Sequence, residues 1–319
     1  MKKKLVVVTG ATGFLGMHLV KELKTLDRIR VVVISRSKDK FLAFEEFSAG
    51  VDVKECDLLK KGSLDEVLEK GCMVINLAYI RDAGSEENLN LVNNLIESCN
   101  NAKVKRLIHC STADVIGRSK INPVYESTPC APVTEYAKTK LNIEKAILDG
   151  CNKEFEAVVI RPTAVFGAGG QNLIKIVDAI MNGNRIINYL KSCLYYKRRM
   201  NLVYVDNVVA VFVYLIRHIK NIDGEIFNIS DDQHQSNNYI DVESILKKKL
   251  NIASPNLLRL RMPAVFLSFL LISLGRDNVD PERVLSIDKL TDIGFESPVS
   301  FEEGVSLYLD WYRVECLSK

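Results

Sequence analysis

Proline, histidine and tryptophan are scarce in this 319-residue chain, with eight, four and one copies. The four histidines, at 18, 109, 218 and 234, form no His-x-x-x-His pair, which argues against a metal site. Eight cysteines, at 56, 72, 99, 110, 130, 151, 193 and 316, contain no Cys-x-x-Cys pair and fall mostly in predicted strands or helices. Packed, reduced thiols are therefore expected in place of a disulfide framework. Long apolar runs are missing too. The longest, Ala264 to Leu274, is interrupted by two serines and is far shorter than the roughly 20 residues a membrane span needs. It predicts a buried helix, or a rim that touches substrate or a lipid surface. Charge of one sign is not in excess either: 43 basic residues face 40 acidic ones, and no basic stripe is interleaved with aromatics, which excludes a nucleic-acid partner. Lys2 to Lys4 ahead of Leu5 to Val8 is too short for a secretory start and leads straight into a glycine turn, so a cytoplasmic protein is expected. No repeat, low-complexity segment or Pro/Gly/Ser-rich linker divides the chain.

What is present begins at residues 5 to 16, Leu-Val-Val-Val-Thr-Gly-Ala-Thr-Gly-Phe-Leu-Gly. Leu5 to Val8 reads as a strand buried on both faces, and helical spacing follows from about Phe14 to Leu26. Gly10 suits the tight turn out of the strand, Gly13 a close backbone approach to a ligand, and Gly16 the packing of helix on strand. Thr12, Phe14 and Leu15 share this turn, where free N–H groups and the positive end of the helix dipole favour a pyrophosphate. The stretch resembles the Thr-Gly-x-x-Gly-x-x-Gly motif of the short-chain dehydrogenase/reductase superfamily.

Strand-like runs at Val31–Ser35, Val51–Cys56, Met73–Leu77, Arg106–Cys110 and Phe155–Ile160 alternate with helical patterns near 41–47, 63–70, 86–102 and 134–149. Such alternation implies right-handed crossovers and an α/β fold: a doubly wound parallel sheet of the Rossmann type. From Gly167 the rhythm turns irregular. Helices are expected at 172–182, 206–219, 239–250, 263–274 and 301–313, and short strands near 201–205 and 225–229. The expected division is a dinucleotide-binding domain over 1–166 and a smaller substrate-binding region over 167–319, with crossovers to the first.

In such a unit an acid at the end of the second strand binds a ribose 2′-hydroxyl, whereas arginine accommodates a 2′-phosphate. Here the strand ends Ser35-Arg36-Ser37 with no acid before Asp39, which favours NADP, with NAD the alternative.

Tyr136-Ala137-Lys138-Thr139-Lys140 places a phenol and an amine one helical turn apart on one face. A nearby ammonium favours the phenolate, which makes Tyr136 a candidate acid/base. Cys110-Ser111-Thr112-Ala113-Asp114-Val115-Ile116-Gly117 is similar to the Ser-Ser/Thr-x-x-Val-Tyr-Gly stretch of the extended short-chain dehydrogenases, and Arg161-Pro162-Thr163-Ala164-Val165-Phe166-Gly167 to their Arg-Pro-x-x-Val-Tyr-Gly segment. Asn201 to Val208, and Leu290 to Phe295 with Trp311-Tyr312, match further family segments. The resemblance is to the NAD-dependent epimerase/dehydratase group. It implies Thr112, with Ser111 the runner-up, as the hydroxyl that orients a substrate oxygen. It also implies that Asp57 and Leu58 border the adenine, that Leu77 and Ala78 follow the nicotinamide ribose, and that Pro162 lies beside the nicotinamide.

Departures from the family pattern bear on the reaction. Family dehydratases carry an Asp-Glu pair after the catalytic threonine, but this chain has Ala113-Asp114, which disfavours elimination of water. The resemblance then implies a nucleotide-sugar 4-epimerase or 4-ketoreductase. Ala164 and Ile116 replace polar residues of nucleotide-sugar enzymes, and Lys197, Arg198 and Arg199 form a cationic cluster that could supply the missing diphosphate contact or be a solvated loop. Two alternatives stay open: an NADPH-dependent reductase of an apolar carbonyl, of the dihydroflavonol reductase or hydroxysteroid dehydrogenase type, and a non-catalytic NADP-binding regulator. The helices near 86–102 and 134–149 form dimer interfaces in many relatives, so a homodimer is expected.

Overall fold

The computed structural model describes residues 3–43, 45–151, 155–253 and 262–316. In chain order its elements are β1 (Lys4–Thr9), α1 (Phe14–Leu23), β2 (Ile29–Ser35), α2 (Lys38–Leu42), α3 (Glu45–Ser48), β3 (Asp52–Glu55), β4 (Met73–Asn76), α4 (Ser85–Ala102), β5 (Arg106–Cys110), α5 (Glu135–Gly150), β6 (Glu156–Pro162), β7 (Ala164–Phe166), α6 (Ile174–Asn182), α7 (Arg185–Tyr195), β8 (Leu202–Tyr204), α8 (Val205–Arg217), β9 (Ile226–Ile229), α9 (Tyr239–Lys249), α10 (Ala264–Ser273), α11 (Asp288–Asp292) and α12 (Phe301–Cys316).

Seven strands form one sheet in the order β3-β2-β1-β4-β5-β6-β9, parallel throughout from β3 to β6. The chain winds outward from β1 to β3, then returns to lay β4 against the other side of β1. This reversal opens a crevice at the carboxyl ends of β1 and β4, as in the doubly wound sheet that the alternation predicts. Val6, Val7, Val8, Val74, Ile75, Leu107, Ile108 and Val158 are all fully buried, which is why these strands read as unbroken aliphatic runs.

The chain forms two compact units, one of Met1–Thr112, Glu135–Arg161 and Val209–Phe227, the other of Ala113–Thr134, Pro162–Val208 and Asn228–Lys319. In the first, Leu5, Val7 and Val74 pack with Leu91, Val92 and Leu95 of α4 and with Ile143 and Ile147 of α5. In the second, β7 pairs with β8, and Phe166 stands edge-on to Phe301 and Tyr308 of α12, with ring centroids 5.9 and 6.4 Å apart.

Two expectations need correction. No helix forms at 63–70: Gly62 and Gly71 both take positive φ, and the eight residues between them fold as successive turns that still bury Leu64 and Leu68. The spacing of those leucines reported burial, not helix. The helix expected at 41–47 is replaced by α2 and α3, with residue 44 outside the described residues. An unpredicted helix, α7, starts at Asn184, whose side-chain oxygen accepts from the Ile186 and Ile187 N–H groups at 2.8 and 3.2 Å. All eight cysteines are free thiols. Among the described residues no helix is long and apolar enough to cross a membrane, and no group of three His, Cys, Asp or Glu could hold a metal ion.

Candidate active site

The first unit builds its site from the turn after β1. Gly10 takes φ +70°, and a Cβ there would lie 2.6 Å from the Leu77 carbonyl carbon and 2.7 Å from the Ala78 nitrogen. At Gly16 a Cβ would lie 2.4 Å from the Gly10 oxygen. The glycines thus let this turn close on itself and press against the segment after β4, which brings Gly10 together with Leu77 and Ala78. Gly13, in extended conformation, precedes α1; it supplies no side-chain cap, and the first turn has no acid. The positive end of the helix, backbone donors and the lack of a repelling carboxylate make a cradle that fits a pyrophosphate. Thr12 and Gly13 are exposed at its rim, with Phe14 and Leu15 half-buried beside them.

Behind the cradle runs a buried polar line across three strand ends. The Thr9 hydroxyl donates to Asn76 Oδ1 at 2.7 Å, the Ala78 N–H donates to the same oxygen at 3.1 Å, and the Asn76 amide nitrogen lies 3.2 Å from His109 Nδ1. Burial, with the charge of Lys140 nearby, holds His109 well below the usual imidazole range, so it is neutral, and its Nε2 has no hydrogen-bond partner.

At the sheet edge Arg36 is exposed, while the Ser35 hydroxyl donates to the Ser37 carbonyl at 2.7 Å. Asp57 Oδ1 accepts from the Leu59 N–H at 3.1 Å, and Leu58 is buried in the core of the unit.

The phenol and amine of α5 differ sharply in surroundings. Tyr136 is 42% exposed, whereas Lys140, one turn later, is 4% exposed and donates from Nζ to the Cys110 carbonyl at 3.0 Å. Burial lowers the Lys140 pKa, against the opposing pull of Glu144. Both side chains meet Tyr79, which follows β4. The Tyr136 ring stands edge-on to it at 5.3 Å, and Lys140 Nζ lies 5.0 Å from its centroid. The Tyr79 hydroxyl is hydrogen-bonded to Thr139, and burial pushes its phenol up. One further turn along α5, Glu144 forms a buried ion pair with Arg161 of β6 at 2.6 Å.

Thr112 is half-buried just past β5; Ser111 is buried there with its hydroxyl unpartnered. Pro162, the last residue of β6, belongs to the second unit. The cationic cluster, also in that unit, is committed to local partners: Lys197 to Asp241 at 2.7 Å, Arg199 to the His234 carbonyl at 2.9 Å, and Arg198 over the Tyr195 ring at 5.6 Å. Sequence reasoning missed Tyr79, His109 and the Glu144–Arg161 pair. Glu144 carried a signal, since it continues the Tyr136–Lys140 face at the same four-residue step.

A family model described as the NAD-dependent epimerase/dehydratase family matches residues 6–230. The UDP-glucose 4-epimerase of Dictyostelium discoideum is 27% identical over 186 residues, 53% of this chain and 54% of that protein, so the chain spans about half the length of the curated relative it matches. Among solved structures, UDP-glucuronic acid 4-epimerase from Bacillus cereus in complex with NAD is similar at a TM-score of 0.73 and 21% identity, covering 99% of this chain and 98% of that one. The dTDP-glucose 4,6-dehydratase from Bacillus anthracis str. Ames in complex with NAD reaches 0.73 at 16% identity, over 98% of both chains. At these identities the likeness to solved structures is one of fold.

Proposed function

We propose that this chain, which belongs to the NAD-dependent epimerase/dehydratase family, is a nicotinamide-dependent 4-epimerase or 4-ketoreductase of a nucleotide sugar. One observation carries the proposal: an exposed Tyr136 and a buried Lys140 share one face of α5 and one ring contact, Tyr79. A bound nicotinamide dinucleotide would supply the hydride acceptor and donor. The cradle of Gly10, Thr12, Gly13, Phe14, Leu15 and Gly16 would hold its pyrophosphate, Asp57 and Leu58 the adenine side, and Leu77 and Ala78 the nicotinamide half.

Tyr136 takes the proton from a substrate hydroxyl, or returns it to the carbonyl oxygen, and the Thr112 hydroxyl steadies that oxygen. Lys140 keeps positive charge near the phenol, which favours its ionised form. An epimerase runs this proton transfer out and back about one carbon; a ketoreductase runs it once. For the dinucleotide, the exposed Arg36 and the lack of an acid before Asp39 support NADP, while both solved relatives described above hold NAD; titration with the two decides. A homodimer through α4 and α5 and residence in the cytoplasm go with this reading. Light scattering tests the first, against outward faces that are polar at Glu86, Asn90, Asn93, Lys138 and Asn142.

The decisive test is Tyr136→Phe: it should bind dinucleotide as the wild type does and lose turnover by several orders of magnitude, and unchanged turnover removes the assignment. UDP- and GDP-sugars should raise the thermal midpoint of the dinucleotide-loaded protein. A response confined to steroid- or flavonoid-like carbonyls would transfer the reading to an apolar-carbonyl reductase. Oxidised dinucleotide retained through purification selects the epimerase.

A further inference from the structure

Two helices of the second unit leave large apolar side chains in water. On α10, Val265 is 80% and Phe269 71% exposed, with Phe266 and Ile272 beside them; on α7, Ile186 is 70% and Leu190 58% exposed. Of α10 only Leu267 and Leu271 are buried. The segment leading into α10 meets the end of α7, where the Met262 N–H donates to the Cys193 carbonyl at 3.5 Å. So many large apolar groups on these two helices mark an interaction surface.

The charge around them identifies the partner. Residues 179–205 and 244–276, which contain both helices, hold eleven Lys and Arg and no Asp or Glu, although Lys197 and Lys247 are paired with Asp241 and Glu243 outside these stretches; the rest of the chain carries 32 basic residues against 40 acidic. Arg185 and Lys191 are exposed on α7, and Arg276 is exposed just past α10. At the end of α10, Arg118 donates from Nε and Nη2 to the Arg276 and Ile272 carbonyls at 3.3 and 3.4 Å. A twofold contact between copies would set this basic surface against itself. A nucleic acid could stack on Phe266 and Phe269 but would meet Val265, Ile186 and Leu190 beside them, aliphatic groups that offer neither donors nor stacking planes. A lipid leaflet bearing negative head groups accepts both the apolar side chains and the bases.

We propose that α7 and α10 form a peripheral docking surface for a membrane leaflet rich in anionic lipid. Phe266, Phe269, Val265, Ile186 and Leu190 enter the head-group region, and Arg185, Lys191 and Arg276 meet the phosphates. Neither helix is long and apolar enough to span the bilayer.

The test is co-sedimentation of the full chain with phosphatidylcholine vesicles, with and without phosphatidylglycerol. Binding should require phosphatidylglycerol and fall as salt is raised. The pair Phe266→Gln with Phe269→Gln, and separately Lys191→Glu with Arg276→Glu, should each weaken it about tenfold or more. These side chains are exposed, so thermal midpoint and dinucleotide binding should stay at wild-type values and report folding in each variant. Failure of the wild type to sediment with either vesicle overturns the proposal. So does equal binding to both, or binding that neither pair alters. If the chain is a dimer that the Phe266/Phe269 variant converts to monomer, the face is a self-interface and the lipid proposal falls.

Discussion

Replacing Glu144 by glutamine should be among the most costly single-residue changes in the first unit. The Arg161 and Glu144 side chains keep only 4% and 2% of their surface. Arg161 donates through Nη2 at 2.6 Å and through Nε to both carboxylate oxygens at 3.1 and 3.2 Å. Glutamine preserves length and one acceptor, so the loss is mainly electrostatic: a buried guanidinium without its counter-charge costs about 3–5 kcal/mol. For a chain of this size each kcal/mol moves the thermal midpoint by roughly 2–3 °C, so a fall on the order of 10 °C is expected. Exchanging both partners for apolar residues, Glu144→Leu with Arg161→Met, should recover most of that loss, because removing both charges leaves none stranded. Denaturant unfolding of Glu144→Leu, Arg161→Met and the double variant closes the cycle, with a coupling of about 2 kcal/mol or more. A second signature follows from Glu144 opposing the effect of burial on Lys140. Without that carboxylate the ammonium loses its proton more readily, so the alkaline limb of the rate profile should move to lower pH. A Glu144→Gln protein within about 1 kcal/mol of wild type, or a cycle without coupling, refutes the reasoning.

Gly10→Ala should destabilise the protein by about 2 kcal/mol or more and abolish dinucleotide binding, since φ is +70° and the new Cβ would press on the Leu77 backbone. Isothermal titration with NAD and NADP reads it, and intact affinity counts against the cradle. Lys140 gives a pH test. Burial lowers its pKa, so the unfolded chain holds that proton more tightly and stability tied to this group rises with pH toward the ordinary lysine value of about 10.4. The unfolding free energy of wild type relative to Lys140→Met should therefore climb as pH rises toward that value; a difference that stays flat shows that the amine is not strained by burial.

Several features were legible in the chain because they rest on local chemistry. The aliphatic runs of β1, β2, β4, β5 and β6 declare strands covered on both faces, Gly10 to Gly16 declares a turn that brings backbone close to a ligand, and the Tyr136–Lys140 step places two groups on one face of a helix. Where spacing alone was the guide, at Leu64 and Leu68, it could not separate a helix from a run of turns, because both bury side chains four residues apart. The helix α7 did carry a local signal, since Asn184 is a capping residue and Ile186, Ile187, Leu190, Cys193 and Leu194 fall at helical spacing; what the spacing could not tell is that Ile186, Ile187 and Leu190 face water.

Only tertiary structure could decide which groups meet from distant segments. It set Tyr79 after β4 against Tyr136 and Lys140 of α5, joined Thr9, Asn76 and His109 across three strand ends, and matched Glu144 with Arg161. Sequence determines what each residue prefers within a turn or two of its own backbone. The partners that set the charge and accessibility of these residues come from strand order, which brings together residues up to 67 positions apart, as with Thr9 and Asn76.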